Sequence, residues 1–227
     1  SGKLYKLGVK KEGIYKITPE FLKKLGMDVD KTDPRNIRIY GNGGAMLPFL
    51  NADPRPDDLM EVAVEVSGES DGILNDNDYI LFFGESTDKW THQPADGIFH
   101  HQLNLNTDTA FYFITAELGP GKRVSSQSSS TLIPTKTIKT FNDFIYHEND
   151  IYNFIKSGSE WYGEKFDLNP SLIIPVTLPN PDLSSPVFLM SEVAARGDIQ
   201  SAFTVNLNGA SFIHSIPAVN LTTQTGD

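Results

Sequence analysis

The feature that most constrains this chain is its punctuation. Short apolar runs, many alternating with polar residues, are cut every few positions by Gly, Pro, Asn and Asp. Period-two alternation puts one set of side chains on one face of a strand, and Gly/Pro/Asn clusters supply the turns between strands. Tyr5, Leu7 and Val9 alternate with Lys6, Gly8 and Lys10, and Lys11-Glu12-Gly13 then offers a turn into Ile14-Tyr15-Lys16-Ile17, so the opening segment reads as a hairpin. Ile37–Tyr40 reads as a strand entering a tight turn at Gly41-Asn42-Gly43-Gly44. Val62–Val66, Tyr79–Phe83 and Phe111–Thr115 read as further strands, the last two ended by Gly84 and by Gly119-Pro120-Gly121. Ser125–Thr131 is Ser-rich and reads as a loop.

Two segments depart from this rhythm. Thr18 is placed to cap a short helix that opens on Pro19, carries Phe21, Leu22 and Leu25 on one face and stops at Gly26. A second helix is expected from about Asn142 to Lys156, with an apolar stripe of Phe144, Ile151, Phe154 and Ile155 and a stop at Gly158. Beyond it only strand patterns occur, at Trp161–Phe166, Leu172–Leu178, Val187–Ala194, Ala202–Asn206 and Phe212–Ile216. The expected fold class is therefore mainly β with a minor α contribution. A mixed, mostly β domain spans residues 1–140 and a bridging helix 141–158. An antiparallel, jelly-roll-like β-sandwich then begins over 159–227, and Gln224–Asp227 leaves it without a finishing element. The chain reads as a piece of a larger protein, and Ser1-Gly2 reads as a tag-cleavage remnant.

At 227 residues the chain can bury a sizeable core. It contains no cysteine, which excludes a thiol nucleophile, a disulfide framework and thiolate metal sites within it. No apolar run approaches the length of a membrane span, so membrane insertion is not expected. The net charge of −10 is uneven. Residues 1–50 hold ten Lys and Arg against five Asp and Glu, whereas residues 51–119 hold two against fourteen. That dense acid argues against a nucleic-acid partner.

Five groups invite a chemical reading. Gly68-Glu69-Ser70-Asp71-Gly72 has the G-x-S-x-G spacing of a hydrolase nucleophile elbow, but the elbow needs a helix after the Ser, and Ile73–Asp78 is a poor helix opening. Asp71, Asn75, Asp76, Asn77 and Asp78 supply hard oxygen ligands at a density suited to calcium. They lack EF-hand spacing, and turns between strands collect the same residues; Asp71, Asn75, Asp76 and Asp78 are kept as weak calcium candidates, with no other cofactor expected. Gly41-Asn42-Gly43-Gly44 lacks the third glycine of a dinucleotide loop, since Met46 holds that place. His100 and His101 face opposite ways on a strand, and His92, His147 and His214 are scattered without ligand spacing. Trp161 and Tyr162 fit either a core or a carbohydrate platform, so a standalone carbohydrate- or surface-binding module, reported by Trp161 or Trp90, is one reading of the chain.

Another reading comes from four stretches in series. They are Val9–Ile17, Asn36–Gly44, Asp71-Gly72 with Asp78–Gly84, and Ser157–Glu164. In order and spacing, over roughly residues 3–166, they resemble the non-catalytic N-terminal region of the type IX secretion system sortases, gingipain-type cysteine peptidases of Bacteroidetes. The resemblance implies a far longer parent, exported and associated with the outer membrane at the cell surface. That parent's Cys and His lie in a downstream caspase-like domain. It removes the C-terminal signal domain of cargo and attaches the cargo to lipopolysaccharide. No catalytic residue carries over to these positions. The implied partners are the downstream peptidase domain of the same chain, other secretion-system subunits or cargo.

Overall fold

The computed structural model describes residues 2–154, 156 and 160–222. Ser1, Ile155, Ser157-Gly158-Ser159 and Gln224–Asp227, which the sequence reading used, lie outside the described residues. The chain divides into two units, Ser1–Thr137 and Ile138–Asp227.

In the first unit the strands are β1 (Tyr5–Val9), β2 (Gly13–Ile17), β3 (Arg38–Tyr40), β4 (Glu61–Val62), β5 (Val64–Ser67), β6 (Tyr79–Gly84), β7 (Lys89–Gln93), β8 (Ile98–Gln102) and β9 (Ala110–Thr115). They form a four-stranded sheet in the order β1-β9-β3-β4, a three-stranded sheet β2-β6-β5 and the hairpin β7-β8, all antiparallel. The alternation does the work the sequence assigns to it. Leu7, Val9, Ile39, Tyr112 and Ile114 turn inward from one sheet, and Ile17, Val64, Val66, Ile80 and Phe82 from the other, to build one core. The Phe82 and Tyr112 rings meet edge-on at 5.2 Å. Each aliphatic side chain buried there contributes about 1.5–3 kcal/mol.

The helix α1 (Pro19–Lys24) forms as expected. Thr18 Oγ1 accepts from the Phe21 N–H at 3.3 Å, and Leu22 is buried. Its end is a Schellman motif: Gly26 sits at φ +91°, Gly26 N donates to Lys23 O at 2.9 Å and Met27 N to Leu22 O at 3.0 Å.

Several expectations are corrected. β1 and β2 are not a hairpin; they belong to different sheets, Leu7 lying opposite Tyr112 and Tyr15 opposite Phe82. Lys11-Glu12-Gly13 lacks the Asn-Gly or Asp-Gly of a two-residue hairpin turn, and the more apolar runs of β6 and β9 are the better cross-strand partners. The strand at 62–66 splits at Ala63, β4 joining one sheet and β5 the other. Gly41–Gly44 is not a tight turn. It opens a loop reaching to Met60, closed by Gly41 N to Met60 O at 2.9 Å and by Met60 N to Asn42 Oδ1 at 2.8 Å.

The second helix, expected over 141–158, is absent among the described residues. From Asn142 to Phe154 the chain is Asn, Asp, aromatic and β-branched residues with Glu148 the one strong helix former, so propensity defeats the stripe. In its place Tyr152 pairs with Tyr162 in an isolated antiparallel bridge. The second unit's regular structure is the hairpin β10 (Ser201–Leu207) and β11 (Ala210–Ile216), turned by Asn208-Gly209 with both residues at positive φ, 48° and 91°. Residues 172–178 and 187–194 form no ladder among the described residues, so the sandwich expected over 159–227 is represented by this one hairpin. Pro170, Pro175, Pro179, Pro181 and Pro186 in and beside those segments remove backbone donors.

Candidate interaction surfaces

Ser70 lies in a single 3-10 turn, Glu69–Asp71, held between Gly68 at φ +85° and Gly72 at φ +76°. No helix follows; the chain runs on to β6, so the elbow's strained strand-to-helix turn is not built. The turn is instead tied down by Arg123. Its guanidinium reaches Glu69 Oε2 at 2.8 Å and donates to the backbone carbonyls of Pro34 (3.0 Å), Arg35 (2.8 Å) and Ile37 (3.1 Å).

In the acidic loop Asp71 and Asp78 act on the loop's own donors. Asp71 accepts from Ile73 N–H at 3.0 Å and from the Asn75 amide at 3.2 Å, and Asp78 accepts from Asn75 N–H at 2.7 Å. Asp71, Asn75 and Asp78 are thus brought together, while Asp76 points to solvent. Among the described residues no three His, Asp or Glu side chains converge on one point.

The histidines pair locally. His100 Nε2 lies 2.7 Å from Asp96 Oδ2, across a β7-β8 turn that Gly97 permits at φ +74°, while His101 faces the Trp90 ring at 4.6 Å from the other side of the strand. His92 meets Phe99 at 5.1 Å. Sequence reading missed this hairpin, although Asp96-Gly97 is the strongest short hairpin signal. In the second unit His147 Nε2 lies 2.6 Å from Glu164 Oε1, which also accepts from Asn149 at 3.0 Å and is held below the ordinary glutamate range by these bonds. His214 Nε2 lies 2.7 Å from Ser191 Oγ. That pair resembles a base and nucleophile, but no carboxylate hydrogen bond orients the ring among the described residues, as a triad requires. Neither pair carried a sequence signal, their members being 17 and 23 positions apart.

What the chain does present is apolar surface. On the outer face of the three-stranded sheet Ile14 stands exposed opposite Phe83, with Lys16 over the Tyr79 ring at 4.2 Å. The 41–60 loop exposes Leu47, Phe49, Leu50 and Met60. In the second unit an open cleft of about 460 Å³ lies between Tyr152, Glu164, Phe166, Asp167 and Leu172. Tyr162 pairs with Tyr152 in the backbone bridge, and Trp161 beside it is exposed.

No family model matches the sequence, and no curated protein matches it. Among solved structures it is similar to dimeric latent PorU from Porphyromonas gingivalis, at 25% identity and a TM-score of 0.56, over 73% of this chain. The chain spans 14% of the length of that PorU chain. The resemblance drawn from four short motifs is thus met by a likeness of fold, and the chain is a PorU-like region.

Proposed function

We propose that this PorU-like region is the non-catalytic N-terminal part of a gingipain-type cysteine peptidase that acts as a sortase in type IX secretion. The observation that carries the reading is the likeness to a PorU chain of which this sequence spans 14%, joined to the absence of any cysteine in 227 residues. A cysteine peptidase needs a thiolate nucleophile, so the chemistry of such a parent resides in other residues. The role left to this region is scaffold and contact surface, through which a downstream peptidase domain, a secretion-system subunit or cargo is positioned. On this reading the parent is exported and held at the cell surface. Among the described residues no helix is long and apolar enough to cross a membrane.

The test is the mass and location of the native protein, detected in its source cells with an antibody raised against this chain. A species many times heavier than 25.1 kDa in the outer-membrane fraction is expected. A species near 25.1 kDa refutes the reading. A standalone glycan- or surface-binding module then takes its place, to be read by a saturable change in Trp161 or Trp90 fluorescence across a polysaccharide panel.

A further inference from the structure

The open cleft of about 460 Å³ in the second unit is lined by residues 151–152 on one side and by residues between 163 and 172 on the other. Backbone and side-chain bonds fix its frame. Tyr152 N donates to Tyr162 O and Tyr162 N to Tyr152 O, each at 2.8 Å, which lays the two stretches side by side. Gly163 lets the chain pass close to its neighbour, since a Cβ there would stand 3.0 Å from the Asn149 carbonyl oxygen. Glu164 Oε1 is bonded to His147 Nε2 and accepts from the Asn149 amide, and Phe166 packs edge-on against Phe203 of β10 at 5.5 Å. The lining combines three kinds of group. Tyr152 and Phe166 keep 45% and 44% of their surface exposed. Charge is balanced in place, because Lys165 Nζ lies 2.8 Å from Asp167 Oδ2. Asn169 and Ser171 add an amide and a hydroxyl whose side chains make no hydrogen bond among the described residues.

We propose that this cleft is a binding site for an uncharged saccharide. The chemistry of the lining selects that class. A sugar hydroxyl donates and accepts at once, and the Asn169 amide and Ser171 hydroxyl offer both roles. The C–H faces of a pyranose ring are apolar and lie against aromatic side chains, which Tyr152 and Phe166 supply. An anion would meet Glu164 and Asp167, and a cation would meet Lys165, so the cleft favours neither sign. Pro170, between Asn169 and Ser171, locks one backbone angle of that wall and lowers the cost of ordering it around a ligand. The volume falls within the range of about 300–1,000 Å³ common to small-ligand clefts. The inference goes beyond the PorU-like reading and does not need it: the mass of the native protein decides that reading, and titration of the cleft decides this one.

Trp161 adjoins Tyr162 in the bridge and can report on the cleft, and Trp90→Phe removes the other tryptophan of the chain. The fluorescence of that variant of the 227-residue chain is followed during titration with cellotriose, maltotriose and mannotriose, with calorimetry on the unaltered chain alongside. A saturable response with a Kd of about 1 mM or tighter is expected for at least one of the three. Asn169→Ala and Ser171→Ala, which remove no hydrogen bond of the fold, should each weaken that binding about 5-fold or more while leaving Tm unchanged. Tyr152→Ala should weaken it at least as much, since it removes one of the two rings. No saturable response to any of the three trisaccharides overturns the proposal. So does undiminished affinity in both Asn169→Ala and Ser171→Ala, which would place the sugar elsewhere on the chain. Tighter binding of the charged analogues, a galacturonic acid trimer or a glucosamine trimer, overturns it too, by making the cleft a site for an ion.

Discussion

Arg123 gives the sharpest test of how the first unit is held together. It sits beyond the last strand of its sheet, beside Val64, and its guanidinium closes on the Glu69 carboxylate and the carbonyls of Pro34, Arg35 and Ile37, with the Lys122 carbonyl a longer fifth acceptor at 3.4 Å. It thereby ties the 34–37 turn and the Glu69–Asp71 turn to the chain that edges β5. A charge-assisted hydrogen bond contributes about 1.5–3 kcal/mol when both partners are dry. Arg123 and Glu69 retain 24% and 29% of their side-chain exposure, so water replaces part of each bond and about 1 kcal/mol apiece for the three carbonyls is the better figure. Arg123→Met, which keeps the apolar stem, should therefore cost about 3 kcal/mol, or about 10 °C in Tm for a unit of this size. Glu69→Gln should cost about 1 kcal/mol or less, because it leaves the backbone clamp in place. Arg123→Lys should recover at most the ion pair, since an ammonium cannot span the fork. Urea unfolding at neutral pH with a double-mutant cycle measures all three. The clamp argument is refuted if Arg123→Met and Glu69→Gln cost the same.

Two glycines separate crowding from backbone strain. A Cβ on Gly41 would run into the Tyr112 ring, so Gly41→Ala should cost about 2–3 kcal/mol, whereas Gly97 at φ +74° has open space around it and Gly97→Ala should cost only about 1 kcal/mol; thermal melts compare them. The Arg35 guanidinium beside Asp33 holds that carboxyl below the usual aspartate range. A depressed carboxyl stabilises the fold above its unfolded pKa of 3.8 and loses that contribution as pH falls through the folded value. Asp33→Asn should accordingly lose stability at about pH 5, by an amount that shrinks as the pH is lowered below 3.8, measured as the change in urea midpoint. Because Asp71 and Asp78 already accept from donors of their own loop, millimolar calcium or chelator should leave Tm unchanged; a rise with calcium alone would show that the loop opens to bind it.

Local signals in the sequence proved the most readable. Thr18, Pro19 and Gly26 announce α1 because capping is decided by bonds within a few residues. Asp71, Asn75 and Asp78 meet because their turn closes on itself. The second helix fails because the Asn, Asp and aromatic residues between Phe144, Ile151 and Phe154 outweigh the apolar stripe. The hairpin at 89–102 is hard to read for the opposite reason. Its turn was explicit at Asp96-Gly97, but flanks such as Trp90-Thr91-His92-Gln93 carry little apolar alternation. The contacts of Arg123 with Glu69 and of His214 with Ser191 left no mark, since nothing in a linear pattern reports a partner 54 or 23 positions away.

The same gap explains why the strands were found and their sheets were not. Period two tells a segment that it has a buried face; it does not say which strand lies beside it. β2 is the neighbour of β1 in sequence, yet Leu7 pairs with Tyr112 across more than a hundred residues, and it does so because β9 offers a longer apolar run than β2. Wherever the better partner exists, proximity in sequence loses. In the first unit every strand finds that partner, and the core closes around Tyr112 and Phe82. Residues 172–178 carry the same alternation and stand without a ladder among the described residues. If period-two segments at such exposure were stable in water unpaired, the pairing rule that organises the first unit would not be needed. In 172–178 the interruption is Pro175, which has no N–H to give a ladder, so alternation alone does not make a sheet strand.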